Sequence, residues 1–183
     1  MSDLIIWKTI IDHTTRDEIF IIIDKIAFDQ INCFRQKELS QLEACGVIIG
    51  ERKDKHFFIR KFTPPMPTDN RTRYSCKRNN DGHQELVDQL HLESKGSLQY
   101  LGEWHTHPQI TARPSTKDKN EWPKTYNYLS KEENMKEMIC LILGTDSDWL
   151  GIYHQDILYS ASIMNNIHMI EYQENQTEYL ENR

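Results

Sequence analysis

The stretch Gly102-Glu-Trp-His-Thr-His-Pro108, followed by Ser115-Thr-Lys-Asp118, holds residue types that can bind and use a metal ion. Residues 98–107 read as a strand, and alternate side chains of a strand share one face. His105 and His107 therefore project together, at a separation that one cation can bridge. Pro108 stops ladder pairing, and the proline-punctuated segment 108–114 can return the chain so that Asp118 completes a set of three ligands. Two imidazoles and a carboxylate, with water in the fourth position, form a zinc arrangement typical of catalysis. Each piece also has a plainer reading. Two histidines at this spacing are often unrelated, and Ser115-x-x-Asp118 has the spacing of a helix N-cap with an acidic third residue. The serine can serve both readings, because a capped helix start fixes Asp118 while a partly exposed hydroxyl can still donate to a developing oxyanion.

The elements that must position these residues follow from periodicity. Residues 19–23 are rich in β-branched side chains and predict a buried strand. A helix is expected over 25–35, with Ile26, Phe28, Ile31 and Phe34 apolar. Residues 46–50 form a short apolar strand, with 56–62 as its antiparallel partner across a charged turn. Residues 63–82, with Pro64, Pro65 and Pro67, read as a loop or insertion, and 83–94 as a helix through Leu86, Val87 and Leu90. After Asp118 a helical or irregular segment, a second possible insertion at 119–133, precedes strand candidates at 137–143, 149–154, 157–163 and 167–172. Residues 173–183 are a polar tail. The expectation is one mixed α/β domain over 1–183, with a mainly antiparallel central sheet flanked by helices.

With 183 residues, 38% apolar and 27% charged, the chain can bury a core without disulfides or a partner. A net charge of -6 argues against direct non-specific nucleic-acid binding, which needs a basic surface. The most basic local cluster, Arg71, Arg73, Lys77 and Arg78, reads as solvated loop charge or as a hold for an extended substrate tail. Cys33, Cys45, Cys76 and Cys140 are scattered and form no C-x-x-C pair, which predicts reduced thiols in a cytoplasmic protein, with Cys45 a small apolar strand residue. No apolar run is long enough to span a bilayer, so no membrane association is expected. His83 and His91 lie eight apart, too far for one zinc, and read as core or surface histidines.

Taken together, His-x-His-Pro, six residues, then Ser-x-x-Asp resembles the signature of the JAMM metalloproteases, also called the JAB or MPN family, which remove ubiquitin-like modifiers and related tags from proteins. In that family a glutamate precedes an apolar strand of the form Gly-Val-Leu-x-Gly, and Glu43-Ala-Cys-Gly46-Val-Ile-Ile-Gly50 fits. The resemblance implies an MPN/JAB-like (cytidine-deaminase-like) fold, one Zn2+ per chain held by His105, His107 and Asp118, Glu43 as general base, and Ser115 as oxyanion donor. Glu103 shares the strand face of His105 and is the physical rival to Glu43.

Gly-Glu-Trp-His-Thr-His-Pro with Trp122 nearby looks most like the bacterial JAMM proteins encoded with antiphage CBASS systems. For that subgroup the resemblance implies a deconjugating isopeptidase whose substrate is a conjugated protein with an extended C-terminal tail, a cyclic-oligonucleotide synthase, with a functionally linked E1-E2-like ligase. Processing of a ubiquitin-like or sulfur-carrier precursor by the same metal chemistry stays open, as does a catalytically inactive scaffold.

Overall fold

The computed structural model describes residues 4–12 and 17–164. In chain order the elements are β1 (Leu4–Asp12), β2 (Asp17–Asp24), α1 (Lys25–Asn32), β3 (Cys45–Lys53), β4 (His56–Phe62), β5 (Asn70–Thr72), β6 (Ser75–Lys77), α2 (His83–Glu93), β7 (Gln99–Thr106), α3 (Thr116–Glu132), β8 (Glu137–Leu143), β9 (Trp149–His154), β10 (Ile157–Ser160) and β11 (Ser162–Ile163). Nine strands make one sheet in the order β10-β9-β8-β7-β3-β4-β2-β1-β11, while β5 and β6 pair only with each other. The β2–β4 and β7–β8 pairs are parallel and the other pairs antiparallel. This is the expected mixed α/β architecture.

β8 shows how sequence pattern becomes layers. All seven of its residues are buried. Ile139, Leu141 and Leu143 enter one hydrophobic cluster, and Met138, Cys140 and Ile142 enter another. A period of two sends these sets to opposite faces, so a continuous apolar run marks a strand covered on both sides. Each such aliphatic side chain stabilises the fold by about 1.5–3 kcal/mol. The first cluster takes in Ala27, Phe28 and Ile31 of α1, and the second takes in Trp122 and Tyr126 of α3.

β10 and β11 stand at opposite ends of the sheet order although only Ala161 separates them. The sheet must therefore curl until its edges approach, and Thr9 Oγ1 of β1 donates to the Ser160 carbonyl at 3.0 Å. Approach of the two ends shortens the open edge without closing the sheet into a barrel.

Several boundaries differ from expectation. α1 stops at Asn32 rather than at 35. Its buried stripe is Ala27, Phe28 and Ile31, which leaves Ile26 66% exposed, and the chain beyond turns so that Arg35 can pair with Asp148 at 2.5 and 2.7 Å. β1, over Leu4–Asp12, is a strand not among those expected. The loop at 63–82 carries the β5–β6 hairpin, and the insertion at 119–133 is the body of α3, which continues through Pro123. The strand at 157–163 is broken at Ala161. The strand expected at 167–172 and the tail at 173–183 lie outside the described residues. Among the described residues no helix is long and apolar enough to cross a membrane.

Candidate active site

β7 carries His105 next to its end, and His107 follows one residue past the strand with its N–H bonded to the Leu143 carbonyl at 2.8 Å. The residue between them, Thr106, is fully buried on the other side. Its Oγ1 accepts from the Ala44 N–H at 2.9 Å and donates to Gln36 Oε1 at 3.0 Å, and its N–H donates to the Ala44 carbonyl at 2.9 Å. The chain just after Glu43 is thus pinned to the middle of the His-Thr-His segment. Gly46 lets the chain that follows β4 lie against β3, because a Cβ there would lie 2.2 Å from the Thr63 carbonyl oxygen.

Asp118 arrives through the helix cap. Ser115 is the N-cap of α3, and both halves of a capping box are present. Ser115 N–H and Oγ both donate to Asp118 Oδ2 at 2.7 Å, and the Asp118 N–H donates to Ser115 Oγ at 3.2 Å. The capping reading of Ser-x-x-Asp and the ligand reading therefore coincide in one turn of helix.

The donor atoms converge. His105 Nε2 and His107 Nε2 are 3.0 Å apart, Asp118 Oδ1 is 3.3 Å from the former, and Asp118 Oδ2 is 3.5 Å from the latter. Ligand atoms at 2.0–2.1 Å from a tetrahedral zinc stand roughly 3.3 Å from one another. The donor set and its spacing fit a divalent metal. Glu43, His105 and His107 also bring one ligand atom each within 4.8 Å of one another, so Glu43 stands beside the same point. Imidazole orientation is supplied from behind: Gln109 Oε1 lies 3.2 Å from His107 Nδ1, and the Trp122 ring lies 5.7 Å from that of His105 and stacks on Trp149.

Electrostatics sort the carboxylates. Burial pushes the Glu43 carboxyl above its ordinary value; His105 opposes this and Asp118 adds to it. Burial also works against ionisation of Asp118, yet the hydrogen bond and charge of His105, with the Ser115 hydroxyl and N–H, hold it well below the usual carboxylate range. Burial and the neighbouring His105 lower His107, which keeps its ring neutral with a lone pair to offer. Glu103 lines the same groove but is tied to Arg78 at 2.6 Å.

The groove itself encloses about 610 Å3 and runs between the β5–β6 hairpin and the start of α3. Arg71 and Arg73, read from sequence as solvated charge or a tail hold, bind the protein's own backbone. Arg71 Nε donates to the Glu43 carbonyl at 2.7 Å, and Arg73 Nη1 donates to the Glu38 and Leu39 carbonyls at 2.8 Å each. The expectation of four reduced thiols is corrected: Cys45 and Cys76 form a disulfide, with Cα atoms 6.0 Å apart, while Cys33 and Cys140 are free. Their sequence separation of 31 hid the pair, since only the return of the β5–β6 hairpin over β3 brings Cys76 to Cys45. Thr106 and Gln36 were also missed; for Thr106 the strand alternation that exposes the histidines was the available signal.

Known proteins resemble this chain over much of its length. The family model described as prokaryotic homologs of the JAB domain matches residues 33–150. A protein of Escherichia coli (strain TW11681) named CD-NTase/cGAS isopeptidase is 33% identical over 135 residues, 74% of this chain and 82% of that protein. One of the same name from Vibrio cholerae is 34% identical over 125 residues, 68% of this chain and 76% of that protein. Among solved structures, the solution structure of a Desulfitobacterium hafniense protein superposes with a TM-score of 0.51 at 18% identity, covering 80% of this chain and 90% of that one, a likeness of fold. The matched span holds Glu43, both histidines, Ser115 and Asp118, and the chain belongs to the prokaryotic JAB-domain family.

Proposed function

We propose that this chain is a zinc-dependent isopeptidase that cuts the amide bond after the C-terminal residue of a conjugated cyclic-oligonucleotide synthase, reversing that conjugation in antiphage defence. The observation that carries the reading is the convergence of His105 Nε2, His107 Nε2 and the Asp118 carboxylate within 3.5 Å of one another on the groove floor. The names of the relatives, CD-NTase/cGAS isopeptidase, support the substrate class. An E1-E2-like ligase would make the bond that this chain cuts, and both would act in the cytoplasm.

His105, His107 and Asp118 would hold one zinc ion. Zinc bound there polarises a scissile carbonyl and lowers the pKa of water from about 16 to about 7. Glu43, buried and within reach of the histidines, accepts the proton of the attacking water and returns it to the leaving amine. Burial favours this work by raising its affinity for a proton. Ser115 Oγ, half-buried at the groove, donates to the oxyanion of the tetrahedral intermediate by turning its proton away from Asp118 Oδ2. The groove between β5–β6 and α3 would take the extended tail.

The test uses a synthase joined through its last residue to a reporter protein. Cleavage directly after that residue by the zinc-loaded chain, abolished by a chelator and restored by zinc, is the expected result. Indifference to the synthase tail would remove the substrate assignment, and activity unaffected by chelation would remove the metal.

A further inference from the structure

The Cys45–Cys76 disulfide sits beside the proposed base and plays no part in the chemistry assigned above. Cys45 opens β3 two residues after Glu43 and is paired across the sheet with His105. Cys76 lies in β6, and its backbone stands near enough to the Glu43 carboxylate to favour the ionised form. The rest of the hairpin holds Glu43 by its backbone: the Glu43 N–H donates to the Thr72 carbonyl at 2.7 Å, and Arg71 Nε donates to the Glu43 carbonyl. Yet β5 and β6 are three residues each and belong to a separate two-stranded sheet. An isolated hairpin of that length is marginal on its own. The disulfide is the covalent link between this hairpin and β3, assisted by Arg73 on the Glu38–Leu39 carbonyls and by Lys117 Nζ on Ser75 Oγ at 2.7 Å.

We propose that Cys45 and Cys76 are positioning residues whose disulfide is a removable clamp: it holds the β5–β6 hairpin on β3, keeps the Glu43 carboxylate aimed at the histidine pair, and slows turnover when a dithiol reductant opens it. Cys76 is half-buried in the groove wall, whereas Cys45 is 6% exposed. A reductant thiolate therefore attacks Cys76 Sγ, the S–S bond breaks, and its electron pair leaves on Cys45 Sγ, which takes up a proton. The second thiol of the reductant then displaces Cys76 from the mixed disulfide, and Cys76 Sγ is protonated in turn. In sum two electrons and two protons pass to the chain, and the dithiol becomes a disulfide. The remaining polar contacts keep the hairpin near its place, so the effect is a loss of aim rather than of the fold. The inference rests on Glu43 acting as the base.

The test compares the full zinc-loaded chain before and after treatment with a trialkylphosphine, which becomes its oxide with water's oxygen while the two sulfurs take water's hydrogens. The synthase-reporter conjugate is the substrate probe. Expected on reduction are a fall in kcat on the order of tenfold, unchanged zinc content, and faster backbone hydrogen exchange across residues 70–77 and at Glu43 but not in β8. The Cys45→Ser, Cys76→Ser double variant should sit at the reduced values and ignore the phosphine. Unchanged kcat with unchanged exchange overturns the clamp. So does zinc lost in step with activity, or a second zinc equivalent gained on reduction, since Cys45, Asp69 and Cys76 also bring ligand atoms within 4.8 Å of one another. If Glu43→Gln keeps full turnover, the base assignment fails by itself, and the exchange response still reports the clamp.

Discussion

Two buried clusters in this fold contain the same chemical parts. One joins His105 and His107 with Asp118 and Ser115; the other joins His83 with Asp69 and Thr63. Burial lowers the proton affinity of His107 and of His83 alike, so titration does not separate them. Saturation does. Thr63 Oγ1 accepts from the Val47 N–H at 2.8 Å and gives its own proton to His83 Nδ1 at 2.6 Å, which leaves the Nε2 proton for Asp69 at 3.2 Å. Asp69 also accepts from the Met66 and Asn79 N–H groups. Every side-chain polar atom of that set has a protein partner, whereas His105 and His107 turn two Nε2 atoms toward each other and toward one carboxylate, at the floor of an open groove. A closed hydrogen-bond circuit builds structure, and convergent lone pairs build a site for a cation.

The largest effect that separates the clusters is expected from Asp118→Ala or His105→Ala, which should remove zinc and turnover together, as read by metal analysis and conjugate cleavage. Glu43→Gln should keep zinc while turnover falls by about 10²–10⁴. Because Glu43 must be ionised to accept a proton and burial raises its pKa, wild-type activity should fall on the acid side at a pH above the ordinary glutamate value and be level above it. Ser115→Ala should cost ~10² to 10³ in rate through the lost oxyanion donor, with about 1 kcal/mol of stability from the lost cap. His83→Ala should leave zinc content and kcat unchanged and lower stability in denaturant by about 1–3 kcal/mol, the cost of stranding buried Asp69 and Thr63. Zinc loss in that last variant would erase the distinction between the two clusters.

How much of this was legible follows from range. His105 and His107 are readable because a strand repeats every two residues, and Asp118 because a capping box is a pattern four residues long. The two faces of β8 are readable from an unbroken apolar run. What escaped depends on contacts across long separations: the disulfide over 31 residues, Thr106 holding Ala44 over 62, and Arg71 on the Glu43 carbonyl over 28. α3 was ambiguous because Pro123 interrupts its donor ladder, and packing of Trp122 and Tyr126 into the second cluster outweighs that loss. Ile26 misled because apolar type does not fix facing in an eight-residue helix.

Anomalous diffraction at the zinc edge, from crystals of the metal-loaded chain, addresses the metal directly. A single peak about 2.0–2.2 Å from His105 Nε2, His107 Nε2 and an Asp118 carboxylate oxygen is the predicted result. A peak elsewhere in the molecule, or none at this site with Asp118 turned away from the histidines, would contradict it.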